Sequence, residues 1–468
     1  MIMGHTLIAW GHKPGPWFKA AIAAAEAARL AGQDEAAQRA IVASFAPRPV
    51  TTVGLAARGT RPYHLNIRAE GPGEADNIAS VERHMAELMR VPTIVAGAVM
   101  PDACPSGAYI GTIPVGGIVA AKDAIHPGMH SADICCSMAV TVFGDVDPAA
   151  ILDAGMTLSH FGGGGRAPGE HIVPDTSLLE AFEANPYLKP QVSAAIEHHG
   201  TQGDGNHFFY VGRVASSGHV ALVTHHGSRK PGAMLYKAGM ARAEQTRARL
   251  SPETPAHNAW IPADTTDGED YWSALQIIRA WTKSNHYAIH DRIADALGMK
   301  RRDRFWNEHN FVFRRTDGLF YHAKGATPAW ADFAADSSGL TLIPLNMAEP
   351  ILITRGSDAA NGLGFAPHGA GRNMSRTAYM KQFAGRTPAQ IMAEQTVGID
   401  ARFFCGNPDI SELPGAYKTA ATVRAQIAEF GLAEVVDSIE PIGSIMAGDW
   451  QQDASWRRAK RAKAQAKR

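Results

Sequence analysis

An excess of either charge is missing: the 468 residues carry 45 Lys+Arg and 45 Asp+Glu. That balance excludes a global field for drawing in nucleic acid, so an anionic substrate must be held by local groups or by one basic segment. Cysteine is scarce. The four, Cys104, Cys135, Cys136 and Cys405, are too few for a disulfide scaffold and fit a reducing compartment. Cys135 and Cys136 are adjacent, an awkward pair for one intrachain bridge, which favours a metal or packing role. No run of about 18 apolar residues occurs, so no membrane span is expected. The opening MIMGHTLIAWGHKPG has neither a basic leader nor a cleavage pattern, and no secretory signal is read. Cytoplasm is the default expectation and a monomer the expected state.

What is present is an ordinary apolar fraction, 45%, in a chain long enough for two or three domains at roughly 150 residues each. GHKPGPWF reads as a turn. KAAIAAAEAARLAG is Ala-rich and reads as a helix ended by Gly32. DEAAQRAIVASFA reads as a second helix with Asp34 as N-cap, closed by Pro47 and Pro49. In GEADNIASVERHMAELMRV, Ile78, Val81, Met85 and Leu88 recur at helical spacing. From Pro92 the texture becomes β-branched and Gly-rich, which predicts strands and tight loops. Short β runs return in HVALVTHHGSR, NFVFRR, LFYHAKGA and EPILITRGS, with a long helical pattern from Ala274 between them. The reading is an α/β (α+β) protein: a helical unit and linker over 1–75, a mixed-sheet body over 76–450 and a basic tail over 451–468. The tail's last thirteen residues hold seven Lys or Arg and no acid. That fits a solvated helix or a contact to a phosphate backbone.

Histidine is abundant, twenty in all. His5, His12, His64, His84, His160, His171, His198, His199, His219, His257, His286 and His290 are expected in loops or on helix surfaces without partners. A second set sits at strand ends and Gly-rich turns. ADICCSM offers Asp133 and Cys136, GDGNHF offers Asn206 and His207, and VTHHGSR offers His225 and His226. NEHNF offers His309 and Asn310, and APHGAGR offers His368. A thiolate, a carboxylate and three imidazoles suit borderline divalent ions such as Mn²⁺, Zn²⁺, Fe²⁺ or Co²⁺, and a thiolate can bridge two of them. HGAGR and HHGSR each set a His beside Gly and Arg, while AKGAT brings Lys324 beside another Gly. Glycine lets backbone N–H groups reach phosphate oxygens, and Arg binds them in pairs. Metal ligands, phosphate loops and a free imidazole together suggest nucleotidyl transfer, with His attacking an α-phosphorus.

Taken in order, MPD, ADICCSM, GDGNHF, HHGSR, EHN, AKGAT, RGSD, PHGAGRNMSR and ELPGAYK resemble the RtcB family of RNA-splicing ligases, from about Val91 to about Gly448. The resemblance implies an RtcB-like fold around a metal-containing cleft. It implies Asp133, Cys136, His207, His225 and His309 as ligands of Mn²⁺, with two ions expected, and His368 as the histidine that becomes guanylylated by GTP. Asn206, Ser357, Ala370 and Gly371 match positions lining the nucleotide, and Lys324 and Arg372 positions near phosphates or substrate ends. The implied reaction joins RNA with a 3′-phosphate or 2′,3′-cyclic phosphate to a 5′-hydroxyl end through a histidine–GMP phosphoramidate.

Several positions depart from the family pattern. Cys135 replaces a glycine, His226 a serine and Ala323 an arginine. Tyr210 stands where the family has a nucleotide-reading Glu, and Met446-Ala447 where it has Lys-Gly. A lost buried hydrogen-bond partner removes about 1–3 kcal/mol of discrimination. The metal donors and the nucleophile are therefore retained while guanine selectivity is in question. Two alternatives to the ligase stand beside it: a nucleotidyltransferase or phosphoesterase with another nucleotide preference, and a non-catalytic RNA-binding relative.

Overall fold

The computed structural model describes residues 1–46 and 51–451. Pro47, Pro49 and the basic segment from 452 onward lie outside the described residues. The chain divides into two compact units, Met1–Val53 and the remainder from Gly54.

The first unit holds helices α1 (Gly4–Ala9), α2 (Phe18–Leu30) and α3 (Glu35–Phe45). Asp34 caps α3, accepting from the Ala37 N–H at 2.8 Å. After α2 the chain turns through Gly32 at φ 78°, a left-handed conformation that glycine adopts without strain. Leu7, Ala21, Ala25 and Val42 form a small buried core.

The larger unit is built on sheets, as expected of an α/β (α+β) chain. Its strands are β1 (His64–Leu65), β2 (Ile94–Cys104), β3 (Val115–Ala121), β4 (Ala124–Ile125), β5 (Ser137–Gly144), β6 (Phe208–Val214), β7 (Val220–His226) and β8 (Ile261–Pro262). They continue as β9 (Asp303–Glu308), β10 (Asn310–Arg314), β11 (Phe320–Lys324), β12 (Ala326–Pro328), β13 (Leu340–Ile343), β14 (Ile351–Gly356), β15 (Phe365–Pro367), β16 (Asp400–Phe403) and β17 (Ala433–Met446). One sheet runs β1-β2-β3-β11-β10. A larger one runs β13-β14-β17-β6-β7-β5-β9, with β16 added on β17. Most pairs are antiparallel, but β1 on β2 and β16 on β17 are parallel, so both sheets are mixed. The pairing of β1 with β2 ties residues 64–65 into the larger unit, so compactness divides the chain earlier than residue 75.

Helix α4 (Pro72–Leu88) lays Val81, Met85 and Leu88 into a core with Ile94, Val99 and Val119 of β2 and β3. Between β5 and β6 come α5 (Pro148–Leu158), α6 (Thr176–Ala184) and α7 (Val192–Glu197), and after β7 come α8 (Arg229–Leu250) and α9 (Thr266–Ala296). Short helices α10 (Arg376–Lys381) and α11 (Pro388–Gln395) and then α12 (Ala420–Glu429) follow β15.

Long α9 corrects the histidine reading. His286 and His290 on it are fully buried, not exposed. Thr224 of β7 sits between them, its hydroxyl 2.6 Å from His286 Nδ1 and 2.8 Å from His290 Nε2. Ser137 and Thr141 of β5 reach the other ring nitrogens at 3.0 and 2.7 Å. His226 stacks on His286 with ring centroids 3.5 Å apart. Burial holds His290 down to about 3 and His286 and His226 well below the ordinary range, so the layer is neutral. His84, His198 and His199 are buried as well, with His84 meeting Thr112 and His199 meeting Ser284. The helical pattern of a sequence does not reveal that a facing strand will offer hydroxyls.

Candidate active site

Strands β6, β7, β5 and β9 are consecutive in the large sheet, and their registered ends build the site. Phe208 pairs with His225, His225 with Met138, and Ser137 with Glu308. Four of the expected ligands lie on or next to this row. His207 precedes β6, His225 is the penultimate residue of β7, Cys136 precedes β5 and His309 follows β9. Segments as far apart as 136 and 309 converge because the hydrogen-bonded ladder aligns their ends.

The distances are those of a donor cluster. Cys136 Sγ lies 3.2 Å from His225 Nε2 and 3.7 Å from His207 Nε2. His225 Nε2 faces His309 Nε2 at 3.1 Å, and His207 Nε2 faces Asp133 Oδ2 at 3.0 Å. Two ligand groups result, Cys136–His225–His309 and Asp133–Cys136–His207, sharing the sulfur. The donor set fits divalent cations on chemical grounds. His225 Nδ1 sits 3.0 Å from the Asn206 carbonyl. A proton donated there leaves the Nε2 lone pair aimed at the cluster. Burial drives His225 down to about 3 and His309 well below its ordinary value, keeping both neutral. Facing at 3.1 Å, the two Nε2 atoms either share one N–H or hold a cation between them. Burial pushes Cys136 far up, with Asp133 adding to it, and a cation would reverse that by taking the thiolate. Burial also raises Asp133, but its contact with His207 outweighs this and holds the carboxyl at about 2.

His368 follows β15 and stands beside this cluster, its ring centroid 4.9 Å from that of His309. Its Nδ1 lies 2.6 Å from Asp102 Oδ2, and its backbone N–H donates to the same oxygen at 3.2 Å. Asp102 is wholly buried while the imidazole keeps 17% exposure. The carboxylate therefore fixes the ring and leaves Nε2 open to the cleft. Lys418 donates to the carbonyls of Pro101 and Ala103, both at 2.9 Å, clamping β2 on either side of Asp102. Gly371, at φ 69°, passes so close to the Asp102 carbonyl that any Cβ would collide with it. A similar limit holds at Gly227, where a Cβ would strike the Asp133 carboxylate.

A cleft of about 350 Å³ holds these pieces together, lined by Asn206, His225, Lys324, His368, Ala370, Gly371 and Arg372 among others. Lys324 is partly buried, and the desolvation lowers it to about 8; its ammonium donates to Ser106. Arg372 pairs with buried Glu412 at 2.8 Å and lies over the Tyr417 ring at 4.3 Å. Arg376 takes the other Glu412 oxygen at 2.6 Å. Ser357 is not on the cleft wall: it is exposed and its hydroxyl donates to the Gly431 carbonyl. The roles of Asp102, Lys418 and Glu412 were not read from sequence, although MPD and ELPGAYK mark their neighbourhoods.

Two departures from the family pattern are local. Cys135 holds φ 57°, the left-handed region where a glycine would be unstrained. Its side chain is fully buried, and burial, with Glu308 nearby, pushes the thiol well up, which makes it a poor nucleophile. His226 joins the neutral layer against α9.

A family model described as tRNA-splicing ligase RtcB matches residues 167–447. The chain belongs to the RtcB family. A protein named tRNA-splicing ligase RtcB from Archaeoglobus fulgidus is 28% identical over 283 residues, 52% of this chain and 58% of that protein. One of the same name from Thermococcus kodakarensis is 26% identical over 325 residues, 61% of this chain and 64% of that one. A third, from Aeropyrum pernix, is 26% identical over 335 residues, 63% and 68% of the two chains. The match to the first two thus spans less than two thirds of their length. Within the RtcB match lie His207, His225, His309 and His368. Asp102, Asp133 and Cys136 precede it and reach the site through β2 and the row at β5. Among the described residues no helix is long and apolar enough to cross a membrane.

Proposed function

We propose that this protein is a metal-dependent RNA ligase that joins a 3′-phosphate or 2′,3′-cyclic-phosphate RNA end to a 5′-hydroxyl end through GMP held on His368. The observation that carries the reading is the His368–Asp102 pair beside the donor cluster. With Nδ1 tied to a buried carboxylate, Nε2 is the nucleophile. Nε2 attacks the α-phosphorus of GTP, the N–P bond forms, and the bond to the β-phosphate oxygen breaks with its electrons on pyrophosphate. Asp102 stabilises the positive charge that develops on the ring. Water first opens a 2′,3′-cyclic end to a 3′-phosphate. An oxygen of that phosphate then takes GMP as the N–P bond to His368 breaks, and the 5′-hydroxyl attacks the RNA phosphorus, losing its proton and forming the phosphodiester as GMP leaves.

Asp133, Cys136, His207, His225 and His309 would hold two divalent ions, Mn²⁺ by the resemblance, which when bound neutralise charge on phosphoryl oxygens. Arg372 and Lys324 hold phosphate oxygens, and Asn206, Ala370 and Gly371 border the nucleotide. The proposal includes a cytoplasmic monomer.

Incubation of the Mn²⁺-loaded protein with α-labelled GTP should give acid-labile, hydroxylamine-sensitive label, and His368→Ala should give none. Label unaffected by His368→Ala would refute the nucleophile. Ligation is read separately, from RNA carrying a 3′-phosphate and a 5′-hydroxyl. A second reading, transfer of a nucleotide to another phosphate acceptor on the same scaffold, is favoured by the apolar end of the cleft at Tyr210 and Met446. It predicts label on His368 without joined RNA.

A further inference from the structure

The cleft runs from His368 to a floor on the β6–β17 ladder. On that ladder Phe208 lies opposite Met446, and Tyr210 opposite Ser444. Strand alternation puts Phe208 and Tyr210 on one face of β6, with Met446 and Ser444 beside them on the same face. All four line the cleft, joined by Met347. The polar atoms there are few. The Tyr210 hydroxyl turns into the sheet and donates to the Ile439 carbonyl at 2.9 Å. Asn346 accepts the Ala348 N–H on its Oδ1 at 2.9 Å, which leaves its amide NH₂ open. Among the described residues Glu412 is the one carboxylate on the wall, and Arg372, Arg376 and Tyr417 hold it.

Guanine carries an O6 acceptor, an N1–H and a 2-amino group where adenine carries a 6-amino group and a bare N1. The N1–H and 2-amino donors call for a paired acceptor such as a carboxylate. None is free on this floor. A serine hydroxyl and an asparagine NH₂ can donate to N3 or N7, the ring acceptors that both purines carry. Apolar contact alone separates similar ligands weakly, whereas a dedicated buried polar partner separates them strongly.

We infer that this floor receives the base of a purine nucleoside triphosphate by stacking and apolar contact, without selecting guanine, so that ATP serves the site as well as GTP. The inference rests on the nucleotidyl-transfer reading of His368. It extends that reading from the reacting phosphate to the base.

The probes are the α,β-methylene analogues of GTP and ATP, which His368 cannot cleave, titrated into the full-length Mn²⁺-loaded protein by equilibrium dialysis. The expected dissociation constants agree within about tenfold. A preference for the guanine analogue beyond about a hundredfold overturns the inference, and so does failure of both to bind at millimolar concentration. Ser444→Asp puts a carboxylate on the floor and should shift the ratio toward guanine by about tenfold or more. A folded Ser444→Asp protein with an unchanged ratio places the base elsewhere and overturns it too. Labelling with α-labelled GTP and ATP is scored apart. Equal binding of both analogues with no label on His368 from either nucleotide supports the base subsite while refuting the transfer reading.

Discussion

His225 and His226 are neighbours in sequence and opposites in role. Both end β7, and the pleat sends their side chains to opposite faces of one sheet. On the cleft face His225 meets Cys136 and His309, which with it form one of the two ligand groups. On the other face His226 stacks on His286, in a layer where Ser137, Thr141 and Thr224 satisfy the ring nitrogens of His286 and His290. Both layers are buried and neutral. The difference is whether a ring nitrogen faces a hydroxyl or another metal-binding atom. The first arrangement pairs both ring nitrogens of His286 and His290 with hydroxyls, and the second gathers nitrogen and sulfur donors suited to a cation.

Changes on the cleft face should cost function with little cost in fold. His225→Ala should abolish labelling of His368 and reduce bound metal, read by elemental analysis, while the melting temperature of the metal-free protein moves little. Full metal content in that variant would break the comparison. Asp102→Asn should slow labelling by about a hundredfold or more while nucleotide binding persists, because the amide no longer stabilises the imidazolium that forms. A parallel loss of binding would instead mark Asp102 as structural.

Changes on the α9 face should do the reverse. His286→Ala leaves the Ser137 and Thr224 hydroxyls short of a partner and opens a cavity, at a cost of about 2–4 kcal/mol in denaturant unfolding. Folded molecules of this variant should still bind metal.

Acid sharpens the same contrast. Burial depresses His290 to about 3 and His126 and His130 to about 4, so the unfolded chain binds more protons below its own histidine pKa of about 6.5. Stability is therefore full above that pH and falls as pH drops from there toward 4. Melting curves between pH 7 and about 5 should show a falling midpoint; a flat profile would mean that these rings are not held neutral. The smallest effect is expected for Cys135→Gly. It relieves a left-handed backbone but removes a buried thiol, two terms of about 1 kcal/mol that oppose each other.

Much of this was legible from residues alone. Helix α3 with its Asp34 cap and α4 with Val81, Met85 and Leu88 follow from local pattern and spacing. The donor types were legible too, because each occurs beside a short β run and a tight turn. Asp102 was not, since it meets His368 across 266 positions of chain. Neither was the satisfied state of His286 and His290, which depends on hydroxyls contributed by β5 and β7. Ser357 shows the converse: the motif implied a place on the nucleotide's border, but its exposed hydroxyl bonds Gly431 and it is not on the cleft wall.

The order of residues by itself determined the inventory: a thiol, a carboxylate and more histidines than any single site needs, set among glycines and strand-forming runs. Only the tertiary structure decided which imidazoles face one another and which face a hydroxyl. A ring's chemistry is set by what lies within about 3 Å of its nitrogens, and here those neighbours are brought up by sheet register from distant parts of the chain.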